Sequence, residues 1–294
     1  MSRILVTGIN GQLGHELQQI LALDEKVETI GVGRDRLDLT QPDRIREVIA
    51  EIEPNVVVNC AAYTAVDKAE SEPELAHQIN GIAPGILAEE THKLGATLLH
   101  ISTDYVFDGT QSHPYQESDP TQPLGAYGQS KLAGEEAIRQ VTPEHIILRT
   151  AWVYGVGGTG NFAKTMLRLG GDRPELRVVA DQIGTPSWTG DIARAIVGLV
   201  AQHGDISGTY HFTNSGAASW YDFAVAIFEE AKPLGFPLKI DRVLPITTPE
   251  YPTPAQRPAY SVLASQKIAK VLGAPPPHWR AGLRQMLADL KAQA

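Results

Sequence analysis

The chain has 294 residues, with 25 Lys+Arg against 34 Asp+Glu and a formal net charge of −9. With 43% hydrophobic and 20% charged residues, it is neither an extended disordered chain nor a coiled-coil rod, and its length suits one large domain or a large plus a small one. The acidic balance argues against nucleic acid as a partner, because phosphate neutralisation needs a basic face, and the single cysteine, Cys60, leaves no internal disulfide and no cysteine metal cluster.

From the start, Arg3-Ile4-Leu5-Val6-Thr7 runs straight into a glycine-rich turn, too short an apolar stretch for a signal core. No later run reaches the length of a membrane span, so the expectation is a cytoplasmic protein without a membrane partner. Apolar, β-branched runs predict strands at Ile4–Thr7, Val27–Val32, Val56–Cys60, Thr97–Ser102 and Ile146–Arg149. Helical patterns lie between them, over Leu13–Leu23, Pro42–Glu51, Pro73–Leu94 and Tyr127–Gln140, with Gly95 ending the third. This alternation predicts an α/β protein: a doubly wound parallel (Rossmann) sheet with helices on both faces.

After Val153 the pattern changes to a glycine-rich Gly155–Gly160, a helix from Phe162, and shorter elements separated by Pro174, Pro186 and Gly204–Gly208. Thr247–Pro258 holds Pro249, Pro252, Pro254 and Pro258, with Pro245 just upstream, and reads as a structured loop rather than a helix. The tail Trp279–Ala294 reads as one last amphipathic helix. The division expected is residues 1–153 as a dinucleotide-binding domain. Residues 154–294 are expected to form mainly a smaller α/β substrate-binding domain, with some segments returning to the larger one.

Dinucleotide binding is read from Thr7-Gly8-Ile9-Asn10-Gly11-Gln12-Leu13-Gly14, which closes the first strand and opens the first helix. Gly8 permits the tight turn, Gly11 lets the backbone approach a pyrophosphate, and Gly14 allows close helix–sheet packing. The helix start offers free N–H groups to phosphates. The second strand ends Val32-Gly33-Arg34, without the acid that usually holds a ribose 2′-hydroxyl. Either Arg34 meets a 2′-phosphate, favouring NADPH with NADH as the alternative, or it is a solvated cation beside Asp35 and Arg36. Asp38 and Leu39 are placed to meet the adenine, and Ala61, Ala62 and Tyr63 to line the path to the nicotinamide.

Tyr127-Gly128-Gln129-Ser130-Lys131 puts a phenol and an ammonium four residues apart, on one helix face. A neighbouring cation favours phenolate and lowers a tyrosine pKa, making a proton shuttle, and the lysine can also hold a ribose. Taken alone, such a pair is commonly a surface helix pair. Here Ser102-Thr103-Asp104 ends the fourth predicted strand at the same sheet edge, where Thr103 either shares a carbonyl oxygen with Tyr127 or caps a turn. No histidine makes a His-Glu-x-x-His zinc pair, and no serine sits in a nucleophile elbow.

Together the glycine motif, Ser102-Thr103 and the Tyr127/Lys131 pair resemble the extended short-chain dehydrogenase/reductase family, over nearly the whole chain. Within it, Ala61–Glu70, Ser102–Gly109, Arg149–Tyr154 and Pro252–Pro258 are similar to enzymes that reduce the C4 ketone of a dTDP-4-keto-6-deoxy sugar. That resemblance implies a dTDP-sugar substrate, Tyr127 as proton donor to the C4 oxygen, Lys131 on Tyr127 and the ribose, and Thr103 on the carbonyl. It places Thr103, Asp104 and Trp152 on the sugar, and Asn161 and Arg257 on the dTDP part. Trp152 is equally readable as core packing. Some members carry magnesium on clustered glutamates near a dimer contact. Glu16 matches one of these, but Gly190 and Asp289 stand where the others fall. The expectation is therefore no protein-held metal, magnesium only with the substrate's diphosphate, and a homodimer left open.

Two rival readings share the scaffold. A 4,6-dehydratase or epimerase would carry Thr-Asp-Glu, whereas Tyr105 follows Thr103-Asp104, or would keep an acid in place of Arg34. A non-catalytic dinucleotide-binding subunit would have a broken Tyr/Lys pair, and here it is intact.

Overall fold

The computed structural model describes residues 2–293. In β1 (Ser2–Thr7), Ile4 and Val6 face one core cluster and Leu5 the opposite one, and all three are buried, as in a strand covered on both sides. The chain continues through α1 (Gln12–Leu21), β2 (Val27–Val32), α2 (Pro42–Ile52) and β3 (Val56–Asn59). Next come the short α3 (Val66–Ala69), α4 (Pro73–His77), a π turn over Gln78–Ile82, α5 (Ala83–Lys93) and β4 (Thr97–Thr103). A 3₁₀ turn at Asp104–Val106 and a long excursion lead to α6 (Ala126–Val141) and β5 (His145–Thr150).

The second half holds β6 (Val153–Tyr154), α7 (Phe162–Asp172), β7 (Glu175–Val179), β8 (Ile183–Gly184), β9 (Ser187–Trp188) and α8 (Thr189–Val200). It ends with β10 (Gly208–His211), β11 (Ala218–Ser219), α9 (Trp220–Ala231), β12 (Arg242–Ile246), α10 (Gln266–Leu272) and α11 (Trp279–Ala292). The expected tail helix ran on to Ala294, which lies outside the described residues. No helix among them is long and apolar enough to cross a membrane.

The main sheet has the order β10-β5-β4-β3-β1-β2, with every pair parallel. From β1 the chain winds outward to β2, then returns to β3 and winds the other way. The switch leaves a crevice beyond the carboxyl ends of β1 and β3, where ligands of such sheets bind. On one face, Leu13, Leu17 and Leu21 of α1 pack with Ile192, Ile196 and Leu199 of α8. On the other, Ile45, Val48 and Ile49 of α2 pack with Leu87 of α5 and Ile138 of α6. Each such side chain contributes about 1.5–3 kcal/mol by leaving water.

The chain therefore crosses back at residue 189: α8, β10 and α10 belong to the core of the large sheet, although they follow Val153. A second core joins Met166 of α7, Leu176 of β7, Phe223 and Ile227 of α9, and Leu283 and Met286 of α11.

Two expected elements differ. The single helix over Pro73–Leu94 is three pieces, because the π turn inserts a residue and presents the Asn80 amide to the loop after β3. The proline-rich loop contains one 3₁₀ turn, Thr248–Glu250, stabilised by a reciprocal cap between Thr247 and Glu250.

Candidate active site

A cleft of about 700 Å³ opens at the switch point, within the size range of small-molecule sites. Its floor begins at the turn between β1 and α1. Gly8 has φ of +69°, and a Cβ there would lie 2.9 Å from the Ala61 backbone. A Cβ on Gly14 would fall 2.3 Å from the Gly8 carbonyl, so α1 can approach β1 this closely only with glycine. The first turn of α1 starts at Gly11 with no side-chain cap, leaving its N–H groups to the cleft.

The far wall is α6. Its Glu135 is fully buried and takes a two-pronged ion pair from Arg149 of β5, Nε–Oε1 at 2.9 Å and NH2–Oε2 at 2.6 Å. Ser102 of β4 donates to the same carboxylate at 2.6 Å, and Arg139 donates to it from one turn along. Burial alone would raise the Glu135 pKa, but Arg149 holds it below the usual range. This knot locks α6 against β4 and β5, and so sets where Tyr127 and Lys131 stand.

Tyr127 enters the cleft with its ring edge-on to Tyr105, centroids 5.5 Å apart. Burial pushes its phenol up to about 12, the Thr103 hydroxyl pulls it down, and the Asp104 charge pushes it up. Lys131 is absent from the groups that shift it. Burial thus favours the protonated phenol at neutral pH, against the lowering expected from Lys131. Lys131 is 2% exposed, and its Nζ donates to the Ile101 carbonyl at 2.6 Å and lies 3.1 Å from His100 Nε2. Burial brings it down to about 8, while Glu135 and Cys60 act in the opposite sense.

Thr103 Oγ1 donates to Asp104 Oδ1 at 3.0 Å and accepts the Tyr105 N–H at 3.2 Å. Asp104 is buried, and its pKa rises to about 6 through loss of water, partly offset by the Ser261 and Thr103 hydroxyls. Its other oxygen, Oδ2, has no partner, nor does the buried hydroxyl of Thr150, which is paired with Thr103 in the sheet. Two unsatisfied polar atoms at one cleft wall invite a polar ligand.

A model of the RmlD substrate binding domain matches residues 1–292. The chain belongs to this family. Among relatives of the family member described here, dTDP-4-dehydrorhamnose reductase of Burkholderia thailandensis is 44% identical over 300 residues, covering 99% of this chain and 100% of that protein. The crystal structure of a dTDP-4-dehydrorhamnose reductase from Clostridium acetobutylicum superposes with a TM-score of 0.91 at 42% identity, covering 98% of this chain and 99% of that one. The reductase from Bacillus anthracis, solved in complex with NADP, gives 0.91 at 39% with the same coverage.

In this RmlD-family chain, Gly8, Asn10, Gly11, Gln12, Leu13, Gly14, Arg34, Asp38, Leu39, Ala61, Ala62, Ser102, Thr103, Asp104, Tyr127, Lys131, Trp152 and Asn161 all line the one cleft. Tyr63 and Arg257 are not among its lining residues. The Tyr63 hydroxyl turns away to donate to Glu72 at 2.8 Å, while its backbone is held by Asn80. Arg257 is spent on Asp67. Asn161 caps α7 and donates to Gln12 Oε1 at 2.7 Å, linking the glycine-rich 155–160 loop to the β1–α1 turn. Arg34 stands exposed at the mouth, with Asp38 3.3 Å away.

Sequence reasoning missed Trp220, which stacks on Trp152 at 3.4 Å and 3° in the cleft wall. Trp152 holds φ of +47°, a strained value for a residue with a side chain. Pairing of these rings depends on tertiary contact across 68 positions and has no local signal. Glu16 has its carboxyl pKa raised by burial and by Asp289, but Gly190 offers no ligand, and no group of three or more His, Cys, Asp or Glu side chains able to share an ion occurs among the described residues. Glu16 and Asp289 by themselves supply too few oxygen ligands to hold a magnesium ion within one chain.

Proposed function

We propose that the protein reduces the C4 ketone of dTDP-4-dehydro-L-rhamnose to dTDP-L-rhamnose with NADPH. The observation that carries this reading is the convergence of Tyr127, Thr103 and Lys131 on one cleft with the uncapped start of α1. Family membership, and relatives whose names carry this reaction, support it.

The glycine turn and the α1 N–H groups fit a pyrophosphate, since a Cβ at Gly8 or Gly14 would close the backbone cradle. A reduced nicotinamide bound there supplies the hydride. Tyr127, kept protonated by burial, gives its proton to the C4 oxygen as negative charge develops on it. Thr103 donates to the same oxygen by turning its hydroxyl from Asp104. Lys131 donates its remaining N–H to the nicotinamide ribose and keeps a positive charge near the reacting centre. Asp104 Oδ2 accepts a sugar hydroxyl, and the Trp152/Trp220 pair gives the sugar an apolar wall. Arg34 is held only by an exposed pair of little worth and is free to swing onto a 2′-phosphate.

The test is a mixture of purified protein, NADPH and dTDP-4-dehydro-L-rhamnose, followed at the reduced-nicotinamide absorbance with the sugar product identified by NMR. Loss of absorbance with stoichiometric dTDP-L-rhamnose is expected. Cofactor binding without oxidation would move the assignment to a non-catalytic subunit.

A further inference from the structure

Three neighbouring strands each carry a buried polar side chain at one level beneath the cleft. Thr7 pairs with Asn59, and Asn59 with His100, in the register of β1, β3 and β4. All three are 1% exposed. Thr7 Oγ1 donates to Asn59 Oδ1 at 2.7 Å, Asn59 Nδ2 lies 2.9 Å from His100 Nδ1, and His100 Nε2 lies 3.1 Å from Lys131 Nζ. A buried polar row of this kind is costly unless every member is satisfied.

Counting hydrogens shows what satisfies it. An ammonium at Lys131 has only donors, so it bonds His100 only where Nε2 carries no proton. A neutral His100 then carries its proton on Nδ1, and Asn59 turns its oxygen to that proton and its NH2 to Thr7, exchanging the amide O and N that now face Thr7 and His100. Thr7 Oγ1 accepts the Ala61 N–H at 3.2 Å, and in that reversed orientation it would accept the Asn59 NH2 in place of donating to Oδ1. With the amide as it stands, Nδ2 toward His100, Nε2 carries the proton and Lys131 must be a neutral amine to accept it. The row has two directions, and each goes with one charge state of Lys131.

We propose that His100 is a positioning residue for Lys131: as the acceptor ending the Thr7–Asn59–His100 row, it holds the side chain as an ammonium at the cleft floor. This rests on the reaction above only in giving Lys131 a task. The groups around Lys131 are His100 from β4, Cys60 beyond β3 and Glu135 on α6, with Tyr127 one helical turn away. Burial keeps His100 neutral and pushes the Cys60 thiol up to about 12, and Glu135 is occupied by Arg149 and Ser102. His100 Nε2 is the side-chain atom within hydrogen-bond distance of Nζ.

Lysine labelled with ¹³C at Cε lets the titration of Lys131 be followed by NMR without turnover, the signal being assigned with Lys131→Met. In His100→Leu the charged form loses an acceptor, and the midpoint is expected to fall by about one pH unit. His100→Gln, whose amide oxygen can accept, is expected to recover most of that change, and the alkaline limb of kcat should move in parallel. An unmoved midpoint in His100→Leu, or no recovery with glutamine, overturns the proposal. Should the leucine variant not fold, Asn59→Leu frees the tautomer of His100: a lowered midpoint supports the row, and an unmoved one overturns it. Failure of the parent protein to oxidise NADPH would count against the reaction and leave this titration standing.

Discussion

The guanidinium of Arg257 and the carboxylate of Asp67 form a two-pronged ion pair across 190 positions, NH2–Oδ2 at 2.8 Å and NH1–Oδ1 at 3.0 Å. Arg257 also donates to Thr253 Oγ1, and Ala255 N–H donates to Asp67, so the proline-rich loop is tied to α3. Asp67→Asn keeps the shape and removes the charge. Because its side chain is 42% exposed, the loss should be only about 1 kcal/mol, or roughly 2–4 °C in Tm. Arg257 holds the Asp67 pKa below its usual value, so this stabilisation is present above the ordinary carboxylate pKa and disappears as acid passes the lowered one. Calorimetry of both proteins across that range checks the sign, and a difference persisting in strong acid would remove the pair as its cause.

Tyr127→Phe takes away the proposed proton donor and should lower kcat by roughly 10²–10⁴-fold, with NADPH affinity largely kept. Stopped-flow turnover beside cofactor titration separates the two. Near-normal turnover would assign the proton to another group.

Arg34→Ala should weaken NADPH more than NADH, since only the phosphorylated ribose needs the guanidinium. Equal losses for the two cofactors would return Arg34 to a solvated role beside Asp38.

The pH profile of kcat/KM should fall on both sides. On the acid side, Asp104 gains a proton near its raised pKa of about 6 and can no longer accept through both oxygens. On the alkaline side, Lys131 loses its charge near its lowered pKa of about 8. Asp104→Asn should flatten the acid limb and leave the alkaline one in place. Two unchanged limbs in that variant would exclude Asp104 from the profile.

Much of the site was legible because its signals are local. Gly8, Gly11 and Gly14 answer to a turn within eight residues, and Tyr127 with Lys131 to one helical turn. Tyr63 shows the limit: it is expected beside Ala61 and Ala62, which do line the cleft, yet Asn80, placed by a π turn that no period reveals, holds its backbone while its hydroxyl turns out to Glu72. The lysine effect on Tyr127 also depended on something beyond spacing. Two groups on one helix face share a direction, but their desolvation depends on what other strands bring around them.

The amino-acid order by itself determined the parallel sheet, the glycine turn after β1 and the spacing of Tyr127 and Lys131, since each follows from contacts within one or two elements. Only the tertiary structure decided that α8 and β10 rejoin the large core, that Trp220 stacks on Trp152, and that Thr7, Asn59 and His100 align beneath Lys131. The physical reason is that strand register and burial are set by the whole packed chain. Hydrogen-bond partners and pKa values inherit that dependence.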